Sequence, residues 1–252
     1  MKARGKQRAG SSSASRRGRP AAFAGARAAA ALFALVAFAP HTTRAASGND
    51  ELPRRDLLER AIASYRRLAD AGQVHNPVLT VIDYALPSSQ RRLWVIEPNT
   101  RRVLFHEFVA HGRGSASETD PDRLVRFGNE AESHRSSRGA FVTGRTYIGQ
   151  HGHSLELYGL EPGVNDRAFE RRIVMHPADY ASASFRAQSG GRLGRSWGCP
   201  ALDPAVARPI IDRIEGGSVL FVDGASTPKS VAEATPSTGA ALAGAAGLAQ
   251  GR

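Results

Sequence analysis

The sequence contains 252 residues, of which 41% are apolar, enough for one globular domain with a sizeable core and flanking segments. Its formal net charge of +11 would suit a nucleic-acid ligand, but nine of the 34 basic residues lie in residues 1–46, where no Asp or Glu occurs. The remaining 25 bases face 23 acids, so the rest of the chain is almost neutral. The charge distribution therefore argues against nucleic acid as a partner, because phosphate binding needs a basic surface.

Residues 1–46 have the composition and order of a secretory signal peptide. A cationic start is followed by a segment rich in Ala, Leu, Phe and Val at 21–39, and then by small residues. The uninterrupted apolar run, 28–39, is shorter than the roughly 20 residues of a membrane-spanning helix. We predict cleavage near Ala45 or Ala46, export to the periplasm or cell envelope, and no stable membrane span after cleavage. Retention as a membrane anchor is the alternative.

The remainder of the chain divides into three predicted parts. Residues 47–75 form an N-terminal helix and linker, in which Leu57, Leu58, Ile62 and other apolar residues recur at helical spacing. Residues 76–224 form the main domain, and residues 225–252 form a disordered tail of mostly Ala, Gly, Ser, Thr and Pro. The main domain is rich in short predicted strands, at 78–84, 93–97, 103–110, 140–142, 155–157, 173–176 and 218–222.

One helix is predicted inside the main domain, over residues 204–214. Asp203 is placed as its N-cap and Pro204 as its first residue. Pro209 removes a backbone hydrogen bond inside this helix, so a kink or a separate helix that begins at Pro209 is also possible. The predicted fold class is mainly β, with one or two helices in the domain and a short amphipathic helix before it.

Cys199 is the single cysteine of the chain. An exported domain that used cysteine structurally would need pairs for disulfides, so a lone thiol indicates a reactive group, an inert buried side chain or an intermolecular bond. Cys199 follows Gly198 in a glycine-bracketed loop ahead of the predicted helix. Backbone amides near a helix start favour a thiolate and a developing oxyanion.

His176 is the predicted base for this thiol. It ends an apolar strand at 173–176, and Pro177 then turns the chain, so the imidazole has a rigid mount close in sequence to Cys199. The other histidines of the main domain lack this combination, and we expect most of them to be surface or packed residues.

These residues resemble the murein L,D-transpeptidase catalytic domain family of the YkuD type. That family has a strand ending in His and a later Ser/Thr-x-Gly-Cys loop, which match residues 173–176 and Ser196, Gly198 and Cys199 here. Residues 136–143 are similar to the family's strand entry, and residues 147–155 and 159–166 resemble one branch of the family. Trp197 and Ala201 stand where the commoner loop has His and Arg, so the contacts of those two residues are not transferred.

The resemblance implies a β-sandwich-like L,D-transpeptidase fold and acyl transfer on peptidoglycan stem peptides through a thioester on Cys199. Water as acceptor would give carboxypeptidase activity, and the amine of a second stem would give a cross-link. The implied catalytic set is Cys199, His176, Gly198 and Ser196, with no cofactor and no metal. We predict that Arg195, Trp197, His151 and Tyr158 contact substrate, and Tyr158, Ser154, His151 or a backbone carbonyl would orient His176.

Two other functions are weighed against this one. His151, His153 and His176, with Asp166 or Asp179, could form the site of a zinc-dependent envelope peptidase, although Gly149 and Gly152 indicate a turn there. A non-catalytic peptidoglycan-binding module would keep the fold and use the pocket only to hold stem peptides.

Overall fold

The computed structural model describes residues 52–224; the predicted signal peptide and the predicted tail lie outside the described residues. In chain order the helices and strands are α1 (Arg55–Asp70), β1 (Leu79–Asp83), β2 (Leu93–Ile96), β3 (Val103–Glu107), β4 (Gly139–Gly149), β5 (Gly152–Gly159), β6 (Val174–Pro177), α2 (Ala183–Gln188), β7 (Ala201–Leu202), α3 (Pro204–Ile214) and β8 (Val219–Asp223). Two single-turn 3₁₀ helices lie at Arg113–Ser115 and Asp179–Ala181. The mainly β fold class with few helices is confirmed.

The strands form one eight-stranded sheet in the order β3-β2-β1-β8-β4-β5-β6-β7. The pairs β1–β8 and β6–β7 are parallel, and the other neighbouring pairs are antiparallel. The last strand in sequence, β8, lies between β1 and β4, so the first and last strands pair at the centre of the sheet.

Both faces of the central strands are buried. Leu79 and Val81 of β1 pack in the cluster that contains α1, whereas Ile82 packs in the cluster that contains α3. The same alternation continues in β8, where Val219 and Leu220 point to opposite clusters. Because neither face meets water, these strands are continuous apolar runs rather than alternating ones.

The two long helices agree well with the sequence pattern. Helix α1 buries Leu57, Leu58 and Ile62 against the sheet, as the helical spacing predicts. Helix α3 begins after Asp203, whose Oδ1 accepts a hydrogen bond of 3.0 Å from the Ala205 amide. It runs through Pro209 without interruption, so no separate helix begins there. No helix among residues 52–224 is long and apolar enough to cross a membrane.

The hairpin of β4 and β5 is much longer than the predicted strands at 140–142 and 155–157. The outer part of β4 is largely exposed from Gly144 onward, so it lacks the apolar pattern on which a strand prediction depends. Gly149 and Gly152 form the predicted turn at its tip, and Gly152 has a positive φ of 78°. The short helix α2 was not predicted, and it has no buried residue that would give a periodic signal.

Candidate active site

A cavity of about 580 Å³ opens next to the amino end of β6. Its walls come from the loop at 131–134, the β4–β5 turn region at 147–151 and the run at 170–174, together with Trp197 and Cys199. This size is in the range of pockets that hold small ligands or short peptides. The cavity brings the only cysteine of the chain together with several charged and aromatic side chains.

The Cys199 thiol is free and partly buried at the cavity wall. The Val174 amide donates a hydrogen bond of 3.5 Å to Sγ, and the thiol donates to the Arg172 carbonyl oxygen at 3.7 Å. Burial raises the pKa of the thiol, and the Val174 amide, Arg171 and the amide of Cys199 itself act in the opposite direction. The net direction favours a neutral thiol at rest, which needs a base before it can attack.

His176 lies on β6 with 2% of its surface exposed. Its Nδ1 is 2.8 Å from the Pro177 carbonyl oxygen, and because a carbonyl only accepts, Nδ1 carries the proton. Nε2 then keeps its lone pair, as a general base requires. Burial lowers the pKa of His176, so the imidazole is neutral at physiological pH.

A backbone carbonyl therefore orients His176, and the side-chain candidates do not. Ser154 Oγ donates to the Gly152 carbonyl at 3.1 Å, and the Tyr158 hydroxyl donates to Glu156 at 2.8 Å. The His151 ring instead stacks on His176, with 4.3 Å between ring centroids. His151 thus packs beside His176 without fixing its tautomer.

Parallel pairing of β6 and β7 brings the thiol loop to the base. His176 pairs with Ala201, two residues after the cysteine, and the His176 amide donates to the Pro200 carbonyl at 3.4 Å. The same segment of chain that leads into β6 supplies the Val174 and Arg172 contacts to the sulfur. His176 therefore lies on β6, and Cys199 lies in the loop directly before β7, the strand that pairs with β6.

Hydrogen bonds within the loop account for Ser196 and Gly198. Ser196 Oγ donates to the Cys199 carbonyl at 2.6 Å and accepts from the Gly198 amide at 3.1 Å. Gly198 has a φ of 123°, and a Cβ there would lie 2.8 Å from the Arg135 carbonyl oxygen, so only glycine fits. Because the Gly198 amide already donates to Ser196, the Cys199 amide is the better candidate for an oxyanion donor among the backbone amides of this loop.

Of the four residues predicted to contact substrate, two line the cavity and two do not. Trp197 and His151 line the cavity, and the Trp197 side chain is 68% exposed at its rim. Arg195 does not line it and instead donates to the Pro121 carbonyl at 2.9 Å. Tyr158 also lies outside the lining and stacks on Phe169, with ring centroids 4.9 Å apart.

Sequence reasoning missed the charged residues that line the cavity. Arg171 and Arg172 come from the run before β6, and Glu132 and Glu170 bring carboxylates to the same space. These residues lie in irregular segments without a periodic pattern. The only available signal was the position of the two arginines just ahead of the strand that carries the base.

A second polar cluster, which we call the Arg92 cluster, consists of Arg92, His111 and Tyr84 and is buried in the protein. The Arg92 guanidinium is fully buried and donates to the Val109 carbonyl at 2.9 and 3.0 Å and to the Leu86 carbonyl at 2.8 Å. Its Nη2 is 2.8 Å from Nδ1 of His111. Desolvation lowers the pKa of Arg92 to about 10.

The Arg92 cluster supports the segment that holds the thiol loop. Tyr84 donates its hydroxyl to the Ala110 carbonyl at 3.1 Å, and burial raises the pKa of Tyr84 to about 12. The Ala110 amide donates to the Ala201 carbonyl at 2.8 Å, and the Ser196 amide donates to the His111 carbonyl at 3.0 Å. These two hydrogen bonds therefore hold the loop that carries Cys199 at both of its ends.

Ser136 connects the same segment to the loop from another side. Its Oγ donates to the Gly198 carbonyl at 3.2 Å and accepts from the Gly112 amide at 2.9 Å. A Cβ on Gly112 would lie 2.8 Å from the Gly198 Cα, so the two backbones approach too closely for a side chain. Ser136 belongs to the stretch at 136–143 that resembles the family's strand entry.

The donors proposed for a zinc site do not converge. His153 Nε2 is 2.6 Å from Asp212, and Asp166 accepts a hydrogen bond of 2.7 Å from Asn129. Within residues 52–224, no three His, Cys, Asp or Glu side chains are grouped so that they could hold a metal ion. His151 lies in the turn between Gly149 and Gly152, as the glycines indicate, and His153 lies in β5, so the two side chains do not share one strand face.

Comparison with solved structures finds several L,D-transpeptidases. One from Mycobacterium smegmatis is 17% identical, covers 58% of each chain and has a TM-score of 0.34. The LD transpeptidase LdtMt1 in complex with imipenem is 14% identical, covers 59% of each chain and has a TM-score of 0.34. The helical cell shape determining protein Pgp2 from Campylobacter jejuni is 13% identical, covers 70% of this chain and 58% of its own, and has a TM-score of 0.40.

The matched regions span less than two thirds of the length of these three proteins. No curated protein matches the sequence. A family model described as the L,D-transpeptidase catalytic domain matches residues 50–222, well over half of the chain and all of the described sheet except the last residue of β8. The match includes β6 with His176, the loop with Cys199 and also α1, and so the chain belongs to the L,D-transpeptidase catalytic domain family.

Proposed function

We propose that the protein is a cysteine-dependent acyltransferase that acts on peptidoglycan stem peptides. The observation that carries this proposal is a free thiol in the wall of the 580 Å³ cavity, on a loop paired with the strand of a neutral, buried His176. The Pro177 carbonyl leaves Nε2 of that histidine available as a base. Nucleophile, base and orienter are the three parts that covalent acyl transfer requires.

In the proposed first half-reaction, Nε2 of His176 takes the thiol proton while Sγ of Cys199 attacks a stem-peptide carbonyl carbon. The resulting oxyanion is stabilised by the Cys199 amide. When the tetrahedral intermediate collapses, the C–N bond breaks, His176 protonates the departing amine of the terminal D-amino acid, and a thioester remains. The opposing pKa directions of the two groups imply that the proton moves during attack rather than beforehand.

In the second half-reaction, an acceptor attacks the thioester and His176 again moves the proton. An amine from a second stem gives a cross-link and regenerates the thiol, whereas water gives a carboxylic acid. Both transpeptidase and carboxypeptidase activity follow from this chemistry. The cavity wall supplies Trp197 and His151 as proposed contacts for the bound stems.

The proposed place of action is the cell envelope. Peptidoglycan lies outside the cytoplasmic membrane, and residues 1–46 have the pattern of a signal peptide. We keep 76–224 as the catalytic domain and 47–75 as its leading helix and linker. Helix α1 packs on the sheet through Leu57 and Ile62, which makes it part of the folded unit. Cell fractionation together with the N-terminal sequence of the mature protein tests export and cleavage.

The experiment is acylation of the purified protein by imipenem, followed by intact mass and peptide mapping. We expect one adduct on Cys199 in the wild type and none in Cys199→Ala, because the carbapenem carbonyl takes the place of the stem carbonyl. With muropeptides as substrate, the wild type is expected to release the terminal D-amino acid and Cys199→Ala to release none. A wild type that is not acylated and releases nothing would refute the proposal.

The same preparation separates the two alternatives. A zinc peptidase would lose activity with a chelator and keep it after treatment with iodoacetamide, whereas we expect the reverse. A non-catalytic binding module would retain muropeptides equally in the wild type and in Cys199→Ala, with no product from either protein.

A further inference from the structure

Arg171 is the only arginine of the cavity wall whose side chain is largely covered, and the proposed mechanism does not yet use it. Nη1 donates to the Gly128 carbonyl at 2.9 Å and to Ser137 Oγ at 2.7 Å. Nη2 donates to the Arg135 carbonyl at 2.7 Å and to Ser133 Oγ at 3.3 Å. Four bonds from one guanidinium thus hold residues 128–137 against the run that leads into β6.

All four acceptors are neutral oxygens. Among residues 52–224, no carboxylate oxygen lies within 4.0 Å of the Arg171 guanidinium, and its Nε is buried without a hydrogen-bond partner. The positive charge is therefore oriented by neutral groups and has no direct ion pair; burial lowers the pKa of Arg171, and the more distant Glu130 and Cys199 act in the opposite direction. In a partly buried position such a charge acts over a longer distance than it would in water.

The anion that would benefit from this charge is the Cys199 thiolate. Arg171 is the one charged side chain that lowers the pKa of Cys199, against the effect of burial. Its contact with the Arg135 carbonyl has a second consequence, because that oxygen lies 2.8 Å from where a Cβ on Gly198 would be. Arg171 thus acts on the sulfur through its charge, and through its bond to the Arg135 carbonyl it holds that oxygen against the loop of Cys199.

We infer that Arg171 is a positioning residue, which fixes residues 128–137 against the nucleophile loop and stabilises the thiolate that forms as His176 takes the proton. This inference rests on the proposed function, because it assumes that Cys199 is the nucleophile. Two further charged side chains, Glu130 and Arg167, act on Arg171 itself. The other charged or titratable groups near the sulfur lie in the cavity wall or are covered rings: Glu132, Glu170, Arg172, His134, His151, His176, Tyr84 and Tyr180.

The test is the pH dependence of carbamidomethylation of Cys199 by iodoacetamide, which reports the thiolate fraction. In Arg171→Met we expect the midpoint to rise by about one pH unit, so that labelling well below the midpoint slows about tenfold. Arg171→Lys keeps the charge and is expected to label within about threefold of the wild type. The matched control is Arg208→Met, because Arg208 is exposed, lies on α3 outside the cavity lining and is paired with Asp212 at 3.5 Å.

A purely structural role would lower the melting temperature of Arg171→Met and leave the labelling midpoint unchanged, and that result would overturn the inference. If Arg171→Met does not fold, Arg171→Gln keeps a donor for the Arg135 carbonyl and is expected to show the same midpoint shift. Imipenem acylation of the wild type, measured in parallel, keeps the two proposals apart. Acylation of Cys199 together with an unshifted midpoint refutes only the role of Arg171, whereas no acylation refutes the function.

Discussion

His176 and His111 lie on two segments that flank the loop of Cys199, and both side chains are almost completely buried. In His176, Nδ1 faces a carbonyl and carries the proton, so Nε2 has a free lone pair. In His111, Nδ1 faces the donor-only guanidinium of Arg92 and must accept, so Nε2 carries the proton and is buried without a partner. The two imidazoles therefore adopt opposite tautomers.

This difference shows that the group bound at Nδ1 of a buried histidine sets whether its Nε2 can accept a proton. With a carbonyl at Nδ1, Nε2 of His176 can accept a proton, as the proposed mechanism requires, whereas with a cation at Nδ1, Nε2 of His111 already carries its proton and cannot accept another. Burial lowers the pKa of both histidines, and the Arg92 charge lowers that of His111 further. The neighbour of Nδ1, rather than burial, therefore decides which ring nitrogen is free to accept a proton.

The largest effect is expected from matched substitutions to asparagine. Asparagine can keep the Nδ1 interaction in both places, as a donor to the Pro177 carbonyl or as an acceptor from Arg92, while Nε2 is lost. We expect His176→Asn to slow imipenem acylation by about a hundredfold to ten-thousandfold, because the base is gone. His111→Asn is expected to stay within about fivefold of the wild type. Equal losses of acylation rate in the two variants would contradict the different roles of His176 and His111.

A smaller effect, on stability, is expected from Arg92→Met. The substitution leaves the Val109 and Leu86 carbonyls and Nδ1 of His111 without a donor, and each unsatisfied buried group costs about 1–3 kcal/mol. We expect the free energy of unfolding in urea to fall by about 3 kcal/mol. The exposed Arg145→Met serves as the control and is expected to change it by less than about 0.5 kcal/mol. An unchanged midpoint of unfolding for Arg92→Met would show that the cluster does not support the loop.

The smallest effect is the pH dependence of stability. The pKa of His111 is well below its ordinary value of 6.5 in the folded protein, so between those two values the unfolded chain binds more protons. Stability is therefore expected to fall as the pH drops below about 6.5 and to be insensitive to this group above it. When the free energy of unfolding is measured in urea at several pH values, it should decline less steeply with falling pH in His111→Asn than in the wild type. His176, whose pKa is also lowered, should account for part of the decline that remains. An identical slope in both proteins would contradict a neutral His111.

Local sequence patterns were sufficient for the large elements of this fold. The helical spacing of Leu57, Leu58 and Ile62 predicts α1, and Asp203 with Pro204 predicts the start of α3. The lone cysteine after Gly198 and the strand that ends at His176 identify the candidate reactive pair. Each of these signals is carried by a few neighbouring residues, so no knowledge of distant contacts is needed to recognise it.

The sequence by itself determined the strand-rich core, the two long helices and the glycine loop around the thiol, because apolar periodicity and backbone freedom are local properties. Only the tertiary structure decided that Arg195 and Tyr158 leave the cavity, that Arg171 enters it, and that Arg92 and His111 are paired in the interior. Charged side chains in irregular segments carry no periodicity. Their roles depend on oxygens and rings brought close by folding from far along the chain, such as the Arg135 carbonyl for Arg171 and the Val109 carbonyl for Arg92.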